Sequence, residues 1–123
     1  MSRPDWVERL FSVDPILGED DADLGITLLL ARIGTNFSSN IHSIPRESQR
    51  EILGIAEEVL ESGDEEEKAA IATGFLEEIL KAWDEGFDLK SLWEFVGPRS
   101  RSFCLDWNEF SGVASPEWMH QGQ

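Results

Sequence analysis

Positive charge is the scarcest resource in this chain: ten Lys and Arg stand against 25 Asp and Glu, for a formal net charge of −15. A surface with that balance repels phosphate backbones and anionic lipid, so neither nucleic acid nor a membrane is an expected partner, and a basic protein is the natural one. Cysteine occurs once, at Cys104, which rules out an internal disulfide, and the first residues show no basic stretch followed by an apolar one as in a secretory signal. A reducing cytosol is the expected location. The longest mainly apolar run, Leu24 to Ile33, covers about half of the roughly 20 residues needed to span a bilayer.

Tyrosine is missing, and histidine occurs only at His42 and His120. His42 has Ser39 and Ser43 beside it, and a Ser or Cys104 nucleophile would need its imidazole within hydrogen-bond reach; a packing or capping role for His42 at the helix after Pro45 is the simpler reading. There is no Cys pair, no HExxH and no EF-hand loop, since DPILGEDDADLG lacks both the alternating oxygen ligands and the Glu at its twelfth position. No Gly-rich phosphate loop occurs either, and Arg99 with Arg101 is the nearest approach to a basic pair. The adjacent carboxylates Glu57-Glu58 and Glu77-Glu78 diverge by about 100° around a helix and cannot share one proton site. No catalytic residue, metal or cofactor is expected, and the chain is not read as an enzyme.

What the chain has in plenty is helical patterning. From Asp64 to Gly86, Ala72, Phe75, Leu76, Ile79, Leu80 and Trp83 recur at three- and four-residue spacings while Glu77, Glu78, Lys81, Asp84 and Glu85 fall opposite. Asp64 with Glu67 forms a capping pattern, and Gly86 ends the helix. Arg46 to Ser62 repeats the design with Ile52, Ile55, Ala56, Val59 and Leu60, and the two-residue break Ser62-Gly63 makes the two segments an antiparallel hairpin. Shifted by 20 residues, Gly54-Ile55-Ala56-Glu57-Glu58-Val59-Leu60 lies over Gly74-Phe75-Leu76-Glu77-Glu78-Ile79-Leu80. Each Gly falls opposite its apolar stripe, which is either a tolerated surface glycine or a place where another backbone approaches.

Around the hairpin, Arg3 to Val13 reads as a short amphipathic helix and Asp14 to Asp23 as an acidic loop. Leu24 to Ile33 is either a central buried helix, the favoured reading, or a buried strand, with Gly34 as its stop and Thr35 to Pro45 as a connector. Asp88 to Val96 and Arg99 to Phe110 are the remaining helices, the last burying Phe103, Leu105 or Cys104, Trp107 and Phe110. The expected fold is therefore all-α, a compact bundle of five to six helices around a central antiparallel hairpin. Residues 1–112 form the single domain and 113–123 a partly disordered tail.

The run Gly74-Phe75-Leu76-Glu77, with Leu92, Gly97-Pro98, Ser100-Arg101 and a closing Trp107 and Phe110 downstream, resembles a family of small acidic bacterial proteins that look like the immunity partners of polymorphic or contact-dependent toxins. The likeness spans roughly Arg46 to Gly112. It implies a non-catalytic helical protein in the cytosol of the producing cell that binds and blocks a cognate toxin domain. Charge agrees independently, because a toxin that cuts nucleic acid is basic and an acidic inhibitor is steered to it. Acids cluster in Asp14 to Asp23, five with no base, and in Asp64 to Asp88, nine against Lys68 and Lys81. The expected partner contacts are Asp20, Asp21 and Asp23 together with the hairpin edge Glu57, Glu58, Glu61, Asp64 and Glu65, with an aromatic anchor nearby. The alternative is an adaptor domain that holds a partner helix in the hairpin groove.

Overall fold

The capping box at Asp64 forms as its sequence predicts: the Glu67 N–H donates to Asp64 Oδ1 at 2.8 Å and the Asp64 N–H donates back to Glu67 Oε1 at 2.9 Å. It opens α4 (Glu65–Ala69), which runs through a π-helical segment, Ala70–Leu76, directly into α5 (Glu77–Asp84). The computed structural model describes residues 3–120. Over these the chain adds α1 (Asp5–Val13), α2 (Ile26–Ser39), α3 (Arg46–Ser62) and α6 (Pro98–Ser111), with short 3-10 turns at Pro15–Leu17, Ile41–Ser43, Lys90–Phe95 and Glu117–His120. No strand occurs among the described residues. The fold is all-α, six α-helices sharing one core, and the hairpin of α3 with α4–α5 turns at Gly63.

Within this frame the closest pair is α2 with the π segment, and paired glycines set their separation. A Cβ built on Gly74 would stand 2.6 Å from the Thr27 carbonyl oxygen, and one on Gly34 would stand 2.8 Å from the Phe75 carbonyl oxygen. Two backbones can meet this closely only where side chains are absent. Phe37 and Phe75 fill the core beside the crossing, with ring centroids 5.7 Å apart. The helix from α4 to α5 is thus covered by α2 on the side that a simple 3.6 period leaves to solvent. Gly54, its counterpart in α3, is exposed with nothing within 4 Å of an added Cβ. Of the aligned glycines, one receives a backbone and the other receives none.

Gly34 does not stop α2, which continues to Ser39 and buries Phe37 completely. The polar residues that resemble a connector are accommodated inside the helix: Thr35 Oγ1 donates to the Ala31 carbonyl at 3.1 Å and Ser38 Oγ to the Gly34 carbonyl at 3.0 Å.

Helix α6 buries Cys104, one of the two expected alternatives, and packs Phe103, Leu105 and Trp107 at the core edge, but departs from its expected face at Phe110. Ser100, Cys104 and Asn108 are buried, whereas Phe103 and Trp107 are half-buried and Phe110 is 87 % exposed. Its N-terminus is drawn against α3, and a small, partly polar stripe is what fits there. In the segment after α6, Met119 is fully buried and Trp118 sits edge-on to both Trp83 and Trp93, with ring centroids 5.9 and 5.5 Å apart, while Val113, Ala114, Glu117 and His120 are exposed. Asn108 holds this segment, its Nδ2 donating to Ser115 Oγ at 3.0 Å and to Met119 Sδ at 3.4 Å. Residues 121–123 of the expected tail lie outside the described residues.

Candidate functional site

Carboxylates that could meet a partner must first be free of the fold, and the expected contacts differ in this respect. At the N-terminal edge, Arg3 Nε donates to Asp20 at 3.1 and 3.3 Å while its Nη2 donates to the Asp21 and Leu24 carbonyls. Arg32 stands 3.8 Å from Asp21 Oδ2 and donates to the Glu19 carbonyl. Asp23 is exposed and its carboxylate makes no ion pair among the described residues. The loop is therefore an arginine-clamped structure in which Asp20 and Asp21 are already engaged; charge reversal there would disturb the loop as well as its surface.

On the hairpin edge, Glu58 pairs with Arg9 at 2.9 Å, Glu61 reaches Arg99 at 4.0 Å and Glu65 stands 3.9 Å from Lys68. These are exposed pairs of little energetic weight, and each leaves its carboxylate accessible. Asp64 is spent on its own cap. Glu57 differs from these, because its carboxylate is engaged within the fold. The N–H groups of Arg99 and Ser100 donate to Glu57 Oε2 and Oε1, both at 3.0 Å, and Ser100 Oγ donates to Oε1 at 2.9 Å. A carboxylate from α3 thereby caps α6, matching the positive end of its dipole. Gly97 gives the room, since a Cβ there would run into the Glu57 side chain. Nothing local in the sequence around Glu57 signals this, because its partner lies 42 residues away. Glu57→Ala is expected to cost about 1–2 kcal/mol in urea unfolding, the range of a lost helix cap, while Glu61→Ala stays within about 0.5 kcal/mol of the parent. Equal effects would remove the capping role.

Cys104 is buried, and burial alone pushes its thiol up to about 12, so at neutral pH no thiolate is at hand. His42 is exposed on the Ile41–Ser43 turn, and its ring has no hydrogen-bond partner among the described residues. No cluster of three or more His, Cys, Asp or Glu suited to a metal occurs among the described residues. No helix of these residues is long and apolar enough to cross a membrane.

A surface that helical periodicity does not reveal lies between α5 and α6. Leu80 and Trp83 form one wall, Trp107 the other, and Val113 closes the end of an open groove of about 490 Å³ with Asp84 and Glu85 on its rim. Next to it the rings of Phe103, Trp107 and Phe110 follow one another along α6, with centroids 6.5 and 6.4 Å apart. The signal was present as two competing stripes on α6, Ser100-Cys104-Asn108 and Phe103-Trp107-Phe110. Hydrophobicity favours burying the second; the approach of α3 at Ser100 and of the Ser115–Met119 segment at Asn108 buries the first.

No curated protein and no solved structure matches the chain. Residues 18–112, most of its length, match the family described as a domain of unknown function, DUF7674, and the chain belongs to that family.

Proposed function

We propose that this chain is a non-catalytic binding protein of the immunity type, acting in the cytosol of the producing cell to neutralise a basic toxin domain such as a nuclease. One observation carries the reading: of 25 carboxylates, all within the described residues, none is buried. Ten bases cannot neutralise them, so the surplus of −15 is displayed to solvent on a helical frame. A field of that sign raises the encounter rate with a basic surface and disfavours acidic competitors. The buried thiol of Cys104, and an exposed His42 with no hydrogen-bond partner among the described residues, support a role without catalysis.

The test is direct. A basic toxin domain encoded beside this protein should be captured by it, lose its nucleolytic activity at equimolar protein, and associate at least about tenfold faster at low salt than at roughly 0.5 M. A neighbouring domain that is neither bound nor inhibited overturns the proposal. The exposed Phe110 favours a second reading, an adaptor that holds an amphipathic helix by its apolar face; capture insensitive to salt would select it.

A further inference from the structure

Among the described residues, exposed apolar surface and unengaged acids lie together beside the groove between α5 and α6. Phe110 is 87 % exposed, with its ring centroid 6.4 Å from that of Trp107, and Val113, 40 % exposed, lines the groove between α5 and α6 together with Trp107. A single exposed hydrophobe needs no explanation; a ridge of Phe103, Trp107 and Phe110 next to a groove that mixes apolar walls with charged residues does. Steps of about 100° along α6 put Asp106 beside this ridge on the side away from the core. Asp84 and Glu85 stand across the groove. None of these three carboxylates has an ion-pair partner among the described residues, in contrast to Asp20, Asp21, Glu58 and Glu61. Lys81, the one base in the groove wall among the described residues, stands 3.5 Å from Glu78.

We infer that the α5–α6 groove and its aromatic ridge are the docking surface, and that the occupant is an amphipathic helix of the partner. That helix presents large apolar side chains to Trp107 and Phe110 and Lys or Arg to Asp84, Glu85 and Asp106. The pattern is that of an interface with an aromatic centre and a charged rim, in which the rim sets rate and register and the rings supply the affinity. The inference rests on the reading of this chain as a binder of a basic protein, and adds where it binds and by what kind of element.

The probe is a synthetic peptide of about 18 residues with leucine along one helical face and lysine along the other, compared with a scrambled peptide of equal composition. Titration followed by tryptophan fluorescence should show the amphipathic peptide binding at least about tenfold tighter than the scrambled one. Phe110→Asp should lower that affinity about tenfold or more with an unchanged melting temperature, since Phe110 contributes little to the core. Asp84→Lys with Glu85→Lys should weaken binding and flatten its salt dependence, whereas Glu51→Lys, on the exposed face of α3, should leave both near the parent values. Equal binding of the two peptides, or undiminished binding by Phe110→Asp, overturns the inference. If sedimentation instead shows a dimer that Phe110→Asp dissociates, the occupant is a second copy and the assignment of a partner helix falls. Failure of the peptide alongside retained inhibition of a basic toxin domain removes the groove and leaves the proposed function standing; the converse result removes the toxin and keeps the groove.

Discussion

Phe75→Ala is expected to lower the melting temperature by roughly 12–20 °C, at about 4 °C per kcal/mol for a domain of this size. Phe75 is 1 % exposed, lies within the π segment and packs on Phe37, which is fully buried on α2. Truncation removes the ring's transfer energy and leaves a cavity between helices that cannot close, because the glycine crossing already holds them at backbone contact. The cost is about 3–5 kcal/mol. Against a typical total of about 5–15 kcal/mol this consumes a large share of the stability, and a considerable unfolded fraction should be present at 37 °C. Far-UV circular dichroism during thermal and urea unfolding reads it. A midpoint within a few degrees of the parent would place Phe75 outside the core.

The second large effect is a contrast between the two aligned glycines. Gly74→Leu should destabilise by on the order of 3 kcal/mol or more, and Gly74→Ala by about 1–3 kcal/mol offset by up to about 1 kcal/mol of helix propensity. At Gly74 the new Cβ meets the Thr27 carbonyl at 2.6 Å and Leu30 Cβ at 3.0 Å, and a backbone carbonyl inside a helix cannot step aside. Gly54→Ala should act in the opposite direction and stabilise by up to about 1 kcal/mol, since nothing lies within 4 Å and only the conformational entropy of the unfolded chain is reduced. Urea midpoints of the three variants decide the matter. If both alanine variants shift the same way, α2 does not cross the helix at Gly74.

Much of the outline was legible because it rests on local chemistry. The Asp64–Glu67 box, the Gly63 break, the 3.6-residue stripes of α3 and α5, and the Asp88 carboxylate that accepts from the Ser91 N–H at 3.3 Å are set by neighbours within one turn. The candidate site was legible only in part. Acidity predicts the sign of a partner, but which acids stay free depends on arginines distant in sequence, such as Arg3 for Asp20 and Arg9 for Glu58. Trp83 belongs to the core edge and is half-buried against Trp118, so its weight is shared with a tail expected to be loose.

By itself the sequence determined that the chain folds into helices, where α3 and α4 meet, and that its surface is strongly negative, because helix periodicity, capping and net charge are sums over near neighbours. Tertiary structure alone decided that Gly34 and Gly74 form a crossing, that the Glu57 carboxylate caps α6, and that α6 buries Ser100 and Asn108 on the side of Cys104 while leaving Phe110 in solvent. Each of those outcomes depends on how closely two segments far apart in the chain approach, and that separation is fixed by the packing of the whole core.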